Sequence, residues 1–187
     1  MTFDPSAASQ PPHDQHPSQF DDAAARVRSV GALDWATLVF GLAVLIFSCF
    51  DFYRFSSNYG AKGLSAWHSI AGAGFFGWFG VVLPLIGVVV LALALFEPDA
   101  TIPVDPRVAA FAGFGLGLVC EILATFLHPK FYDLTFSDGS YQKLGYGFSF
   151  WVILILDAVG TLVALACAQR AQVILPGPLK HLPKLAR

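Results

Sequence analysis

The sequence predicts an all-α integral membrane protein, a bundle of four helices that span the bilayer. Hydrophobic residues make up 56% of its 187 residues and charged residues only 13%, and the mean hydropathy is +0.62, unlike the balance of a soluble domain. The apolar residues form four blocks, each near the ~20 residues that a helix needs to cross a bilayer. Because these blocks have almost no polar face, the alternative of a soluble bundle of buried helices is disfavoured.

The four predicted spans are separated by three connections. Lipid offers no hydrogen-bond partners, so each span must satisfy its backbone groups internally, as a helix does. Together the spans form one membrane domain over residues 31–170. The helices are expected at about 33–52, 68–96, 107–128 and 148–170.

Two polar tails flank this domain. Residues 1–30 are rich in Pro, Asp, Gln and Ser, and we expect them to stay disordered because they have too little apolar surface to bury. Residues 171–187 are basic and interrupted by three prolines, which prevent a continuing helix. With four spans, both tails and the second connection share one side, which carries seven Lys and Arg residues against four on the other. This bias predicts that both termini are cytoplasmic.

The two halves of the domain resemble each other. Each has an apolar helix, an aromatic segment ("FDFY" and "KFYDLTF"), a Gly/Ser/Tyr-rich connection and a helix that begins with aromatics ("GFFGWF" and "FSFWVIL"). Placing Trp78 on Trp151 also places Gly87 on Gly160. A bundle of two parallel helix-pair repeats is therefore an option. Apolar helices also resemble one another by composition alone, so the sequence leaves the question open.

Two acids lie inside predicted spans, Glu121 in the third and Asp157 in the fourth. At a rise of about 1.5 Å per residue, Glu121 lies roughly 10 Å and Asp157 roughly 13 Å from the outer ends of their helices. Helical spacing places both acids on faces of small and polar residues that would turn toward the bundle interior. The predicted buried polar or proton site consists of Glu121, Asp157, Thr125, Thr161 and His128.

These acids need a structural or functional explanation. Insertion scales put a central Asp at about 2.5–3.5 kcal/mol, and two neighbouring carboxyls in a low-dielectric interior cannot readily both ionise. We therefore expect the pair to hold a proton at rest. The sequence leaves two explanations open: interhelical hydrogen bonds that set the helix register, or a functional proton or cation site.

Small residues line the inward faces of the second, third and fourth predicted helices. Residues without bulky side chains let neighbouring backbones approach closely inside a membrane, and a proline within a helix is expected to kink it. The predicted helix-packing residues are Gly77, Gly80, Pro84, Gly87, Gly113, Gly117 and Gly160.

The outer connections are rich in aromatic residues, as expected of an interfacial belt. The third connection, at about 20 residues, is longer than such connections usually need. We therefore expect the outer loops to pack into a small cap that carries a recognition surface. The residues expected to interact there are Trp67, His68, Tyr132 and Tyr141.

Cofactor and catalytic signals are weak. His68 and His128 could ligate a haem or a metal, but no second histidine pair or Cys-x-x-Cys-His motif accompanies them, so we predict no cofactor and no metal. The three cysteines lie in or beside apolar blocks and are interpreted as small hydrophobic residues. No nucleophile or phosphate-loop motif appears, which predicts a non-enzyme. A net charge of −2 without a basic stripe predicts no nucleic-acid binding.

Several short aromatic signatures occur in a fixed order: Phe-Asp-Phe-Tyr at the end of the first helix, Ala66-Trp67-His68, and Gly77-Trp78 in the second helix. This order resembles small four-span membrane proteins of actinobacteria whose function is uncharacterised. The resemblance covers roughly residues 33–170, implies a bacterial plasma membrane, and transfers no catalytic residues.

The function that the sequence favours is that of an accessory subunit or scaffold in a membrane or cell-envelope complex. Such a protein would contact the lipid bilayer and either a membrane-protein partner or further copies of itself. The alternative is a small proton-linked transporter or channel that uses the buried carboxyls. A cytochrome-like electron carrier is a third option.

Overall fold

The computed structural model describes residues 27–68, 75–97, 100–127 and 134–171. A short helical segment at 27–29 precedes four long helices. The long helices are α1 (Ala32–Ser48), α2 (Phe75–Phe96), α3 (Pro106–Phe126) and α4 (Phe148–Arg170). The strands are β1 (Tyr53–Ser57) and β2 (Gly60–Leu64) between α1 and α2, and β3 (Leu134–Thr135) and β4 (Tyr141–Tyr146) between α3 and α4.

The prediction of an all-α four-helix bundle is wrong, because the first and third connections form a four-stranded antiparallel sheet. The strand order is β2-β1-β4-β3. Neither β1 nor β4 shows a regular alternation of buried and exposed residues: Tyr53 is buried at the start of β1, and Leu144 is the buried residue of β4. A half-buried strand is recognised by alternation with a period of two, and the aromatics of these connections fit an interfacial belt equally well.

The sheet also contradicts two parallel helix-pair repeats. Each half does contain a helix, two strands and a helix, but an exact repeat would relate β1 to β3 and β2 to β4. The central pair joins β1 to β4, and its equivalent under that relation, β3 with β2, lies at opposite edges of the sheet. Pairing between the halves is therefore asymmetric.

Three of the described helices, α2, α3 and α4, are long and apolar enough to cross a membrane. The fourth, α1, is apolar but has only 17 residues. Large apolar side chains remain exposed on the outward faces of all four helices, as expected where lipid replaces water as the surrounding medium. Examples are Val39, Leu42, Ile86, Val89, Leu116, Val119, Ile155 and Leu162. These features indicate a membrane protein.

The helices form a ring in which α1 and α3 each pack against both α2 and α4. The closest approach is between α2 and α3. A Cβ atom on Gly113 would lie 2.6 Å from the carbonyl oxygen of Leu83, and one on Gly87 would lie 2.8 Å from that of Ala109. Since both neighbours are backbone atoms, any side chain here would push the helices apart. On α4, Gly160 makes room for the ring of Phe114, because a Cβ atom on Gly160 would lie 2.6 Å from that ring.

Aromatic side chains fasten the sheet to the ends of the helices. Phe52 and Phe150 are fully buried and meet edge to face at 5.3 Å between ring centroids. The ring of Tyr146 stacks on Phe150 at 3.9 Å, and its hydroxyl donates a 2.8 Å hydrogen bond to the Ala124 carbonyl oxygen of α3. The sheet therefore closes one end of the bundle as a packed layer.

Burial raises the pKa of the Tyr146 phenol to about 12, above its ordinary value of 10.0. An unfolded chain would lose this proton first, so the sheet should become less stable as the pH rises from about 10 to 12. In a spectrophotometric titration we expect a late phenolate component that Tyr146→Phe removes, with circular dichroism reporting that the protein is still folded. Ionisation of every tyrosine near pH 10 in the folded protein would contradict this prediction.

Candidate functional site

Glu121 of α3 and Asp157 of α4 form the most unusual feature of the bundle. Both side chains are fully buried, and within the described parts of the chain none of their four carboxyl oxygens has a hydrogen-bond partner. The two groups are close enough to repel each other if both are charged. Buried polar atoms are nearly always hydrogen-bonded, so this pair stands out as a candidate site.

The Glu121 side chain lies against a glycine of the neighbouring helix. A Cβ atom on Gly80 of α2 would overlap Cγ of Glu121 and would lie 3.2 Å from its Oε1 atom. One turn earlier on α2, the Cβ position of Gly77 lies 2.8 Å from the Tyr53 hydroxyl. Tyr53 is buried and interacts electrostatically with Glu121. Glycine therefore makes room for the acid, and Tyr53 lies on its sheet side.

Asp157 occupies the next turn of the same interface. Its Oδ2 atom lies 2.8 Å from the Cβ position of Gly117, beside the ring of Pro84. Gly117 is one turn before Glu121 on α3, so Asp157 packs against the turn of α3 that precedes Glu121. Proline has no amide hydrogen, and Pro84 therefore leaves the carbonyl of Gly80 without its α-helical donor. Gly80, the residue against which Glu121 packs, therefore has a carbonyl oxygen that lacks its helical donor.

The threonines predicted for this site direct their hydroxyl groups elsewhere. Thr125 donates a 2.6 Å hydrogen bond to the Ile122 carbonyl oxygen, and Thr161 donates one of 2.6 Å to the Asp157 carbonyl oxygen. Both bonds stay within one helix, as is common for threonine in apolar helices. The structure therefore brings Glu121 and Asp157 together without these hydroxyls. His128 lies outside the described residues.

The predicted outer-loop residues lie apart from the carboxyls. Trp67 is 45% exposed, and its indole N–H donates a 2.8 Å hydrogen bond to the Ser48 hydroxyl, which ties the sheet end to α1. His68 is exposed, as is Tyr141 on β4, whereas Tyr132 lies outside the described residues. Where the chain is described, no group of three or more His, Cys, Asp or Glu side chains could hold a metal ion.

A second polar cluster, which sequence reasoning missed, lies at the opposite end of the bundle. Arg107 of α3 donates two hydrogen bonds of 3.0 Å to the carboxylate of Asp34 on α1, one from Nε and one from an Nη atom. The thiol of Cys167 on α4 donates to the same carboxylate at 2.9 Å. A cavity of about 340 Å³ adjoins the cluster, and Arg170 is among its lining residues. The ion pair joins α1 to α3, and the Cys167 thiol adds α4 to the cluster.

The sequence offered little sign of this cluster. Asp34 lies in the first turn of an apolar helix, where an acid also suits the helix dipole. Its partner Arg107 is 73 residues away. In the sequence this arginine is only one of the basic residues that predict the orientation of the chain in the membrane. An acid and a base near predicted helix ends on one side of the membrane were the only available signal.

Comparisons of the chain with protein-family models, with characterised proteins and with solved structures find no match. The resemblance to small actinobacterial four-span proteins therefore stays a prediction. Function has to be argued from the geometry of the site itself.

Proposed function

We propose that this chain is a four-span protein of the bacterial plasma membrane, with both termini cytoplasmic, that binds and releases a proton at Glu121 and Asp157 during proton-linked transport or conduction. The observation that supports this proposal is the set of four buried carboxyl oxygens without a hydrogen-bond partner in the described chain. Ionisable residues inside a membrane commonly mark ion pathways and proton relays.

The geometry favours a proton site over a purely structural role. Carboxyls that set the helix register would hydrogen-bond across helices, and none of the described residues accepts or donates such a bond. The groups that face the pair are Gly80 and Pro84 from α2 and Tyr53 from β1, none of which is cationic. Two adjacent carboxyls in this setting are best accommodated when they share at least one proton.

The placement of the acids suits proton transfer between them. Asp157 lies against Gly117 of α3, one turn before Glu121 on the same helix, so the two groups are neighbours across the interface of α3 and α4. Tyr53 lies on the sheet side of Glu121, and the ion pair of Asp34 and Arg107 lies toward the other end of the helices. The carboxyl pair thus lies between the sheet and the ion pair.

An accessory subunit or scaffold is the second candidate, and the sheet favours it. This layer lies beyond the helix ends and exposes aromatic side chains, including Tyr59 at 97% exposure and Trp67 at 45%. Exposed aromatic residues are enriched in protein interfaces. A membrane-protein partner or a second copy of this chain could dock there, and the carboxyl pair would then serve that complex.

The proton proposal is tested in liposomes that contain the purified protein and a trapped pH indicator. A potassium diffusion potential that is negative inside drives protons inward, so vesicles with the wild type should acidify faster than protein-free vesicles. Glu121→Gln and Asp157→Asn should each slow the change on the order of a hundredfold, since a positioned proton-transfer group is removed. Both replacements keep the side-chain shape, and gel filtration reports whether each variant is folded.

Asp138→Asn is the matched control, because Asp138 is an exposed acid on the turn before β4 and its carboxylate is already held by Ser140. This variant should behave like the wild type. Wild-type flux equal to that of empty vesicles would refute proton conduction through the carboxyl pair. Undiminished flux in Glu121→Gln would show that the carboxyl pair is not the site.

A further inference from the structure

The outward face of the sheet carries two neighbouring cations. Residues directly opposite each other in an antiparallel pair share a face, so the pairing of Tyr53 with Tyr146 puts both on the helix side. The next pairs, Arg54 with Gly145 and Ser56 with Lys143, alternate to the outward side. Arg54 and Lys143 are therefore diagonal neighbours on the two central strands, about 7–8 Å apart at their Cα atoms.

Glycine leaves a hollow between the two cations. A Cβ atom on Gly145 would have its nearest neighbour, the carbonyl oxygen of Arg54, 3.9 Å away, so the space above this residue is open. A cavity of about 470 Å³ opens there, and its lining includes Arg54, Ser56, Tyr141, Lys143 and Gly145. The ammonium group of Lys143 lies 5.9 Å from the centroid of the Tyr141 ring, which places it at the Tyr141 end of the cavity.

Among the described residues, no acid forms an ion pair with either cation. The lining of the cavity contains no Asp or Glu, and the only ion pair found in the described part of the chain lies elsewhere. The carboxylate of Asp51 lies over Gly63, the cross-strand partner of Arg54, on the far side of Arg54 from the hollow. Asp138 accepts hydrogen bonds from the amide and hydroxyl of Ser140. Two neighbouring cations repel each other, and an anion bound between them would relieve that repulsion.

We infer that this hollow binds a phosphate ester presented from outside the membrane, a role separate from the proposed proton site. A guanidinium matches two oxygens of a phosphate at once, whereas an ammonium acts as a point charge. Arg54 and Lys143 supply one of each, and the Ser56 hydroxyl adds a donor. The cavity exceeds the size of one phosphate, and the Tyr141 ring forms a wall for the esterified group.

Binding is measured on the full-length protein in detergent by isothermal titration with glycerol 3-phosphate, and with uncharged glycerol as the blank. The wild type should bind the ester saturably, and the affinity should fall as salt is raised. Arg54→Gln and Lys143→Gln should each weaken binding about tenfold, since each removes a charge-assisted bond. Both side chains are exposed, so the folded state should be unaffected.

Lys62→Gln is the matched control. Lys62 lies in the same sheet, but its partner Phe55 places it on the other face from Arg54, so its loss should leave the affinity unchanged. The phosphate ester could be a soluble molecule or a lipid headgroup, and binding to nanodiscs separates the two sources. Arg54-dependent binding to discs with phosphatidylglycerol, without binding to discs of phosphatidylcholine only or to the soluble ester, would support the site and identify a lipid headgroup as the ester.

Two results would overturn the inference. One is the absence of saturable binding to both the soluble ester and the phosphatidylglycerol discs. The other is an equal loss of affinity in Lys62→Gln and Lys143→Gln, which would mean that the ester responds to net charge and not to the hollow. The liposome flux experiment is independent of either outcome, because Glu121 and Asp157 do not line this cavity.

Discussion

Replacing Arg107 with methionine should destabilise the folded protein by about 2–3 kcal/mol, because the carboxylate of Asp34 would remain buried without its cation. The Asp34 side chain is only 7% exposed, while that of Arg107 is 30% exposed. The partial exposure of the arginine places the expected loss below that of a fully buried pair. Methionine keeps most of the side-chain volume, so the loss reports the charge and its hydrogen bonds.

The free energy of unfolding is measured by titration with a denaturing detergent in mixed micelles. Arg28→Met is the control, since Arg28 is an exposed arginine on the segment before α1. Adding Asp34→Asn to the Arg107→Met variant should restore part of the lost stability, because the uncompensated charge is then removed. Equal stability of Arg107→Met and Arg28→Met would show that the ion pair does not hold the three helices together.

Gly113→Ala should destabilise the protein by about 2 kcal/mol, a typical cost of overpacking a close contact. The new methyl group would lie 2.6 Å from the Leu83 carbonyl oxygen and 3.4 Å from the amide nitrogen of Gly87. Both are backbone atoms of α2, so the helices would have to separate. The carboxyl pair lies in the same interface, and a shift here should also slow the proton flux.

Gly115→Ala provides a matched control on the same helix. A Cβ atom there would meet only the Cγ2 atom of Thr161, at 3.8 Å, which is ordinary packing. Alanine is also the better helix former, by about 0.5–1 kcal/mol, so this variant should be as stable as the wild type or slightly more so. The same denaturing titration compares the two variants, and equal losses would contradict close contact at Gly113.

The two ends of the described bundle are held together by different interactions. At one end the sheet packs aromatic side chains against the helices, with Tyr146 bonded to Ala124. At the other end the ion pair of Asp34 and Arg107 joins α1 to α3, beside a cavity of about 340 Å³.

The helices and the faces that they turn inward can be predicted from local sequence patterns. Hydropathy over about 20 residues and a period of 3.6 are local properties, so they indicated four apolar helices, of which three are long enough to span a membrane in the structure, and put Glu121 and Asp157 on faces of small residues. In the structure Gly80 and Gly117 lie against these acids, and Gly87 and Gly113 bring two backbones together. Close packing requires small residues on the inward face of a helix, whichever helix is its neighbour. These residues can therefore be predicted from the sequence before the fold is known.

Contacts between residues that are distant in sequence depend on the tertiary structure. The sheet pairs Tyr53 with Tyr146, and strands of five and six residues are too short for a periodic signal to separate them from aromatic loops. The partner of Asp34 is 73 residues away, and the threonine hydroxyls bond within their own helices. Each outcome depends on relative positions of the helices that no local pattern encodes. The sequence therefore identified the buried acids, while the fold determined their neighbours and placed a sheet over one end of the bundle.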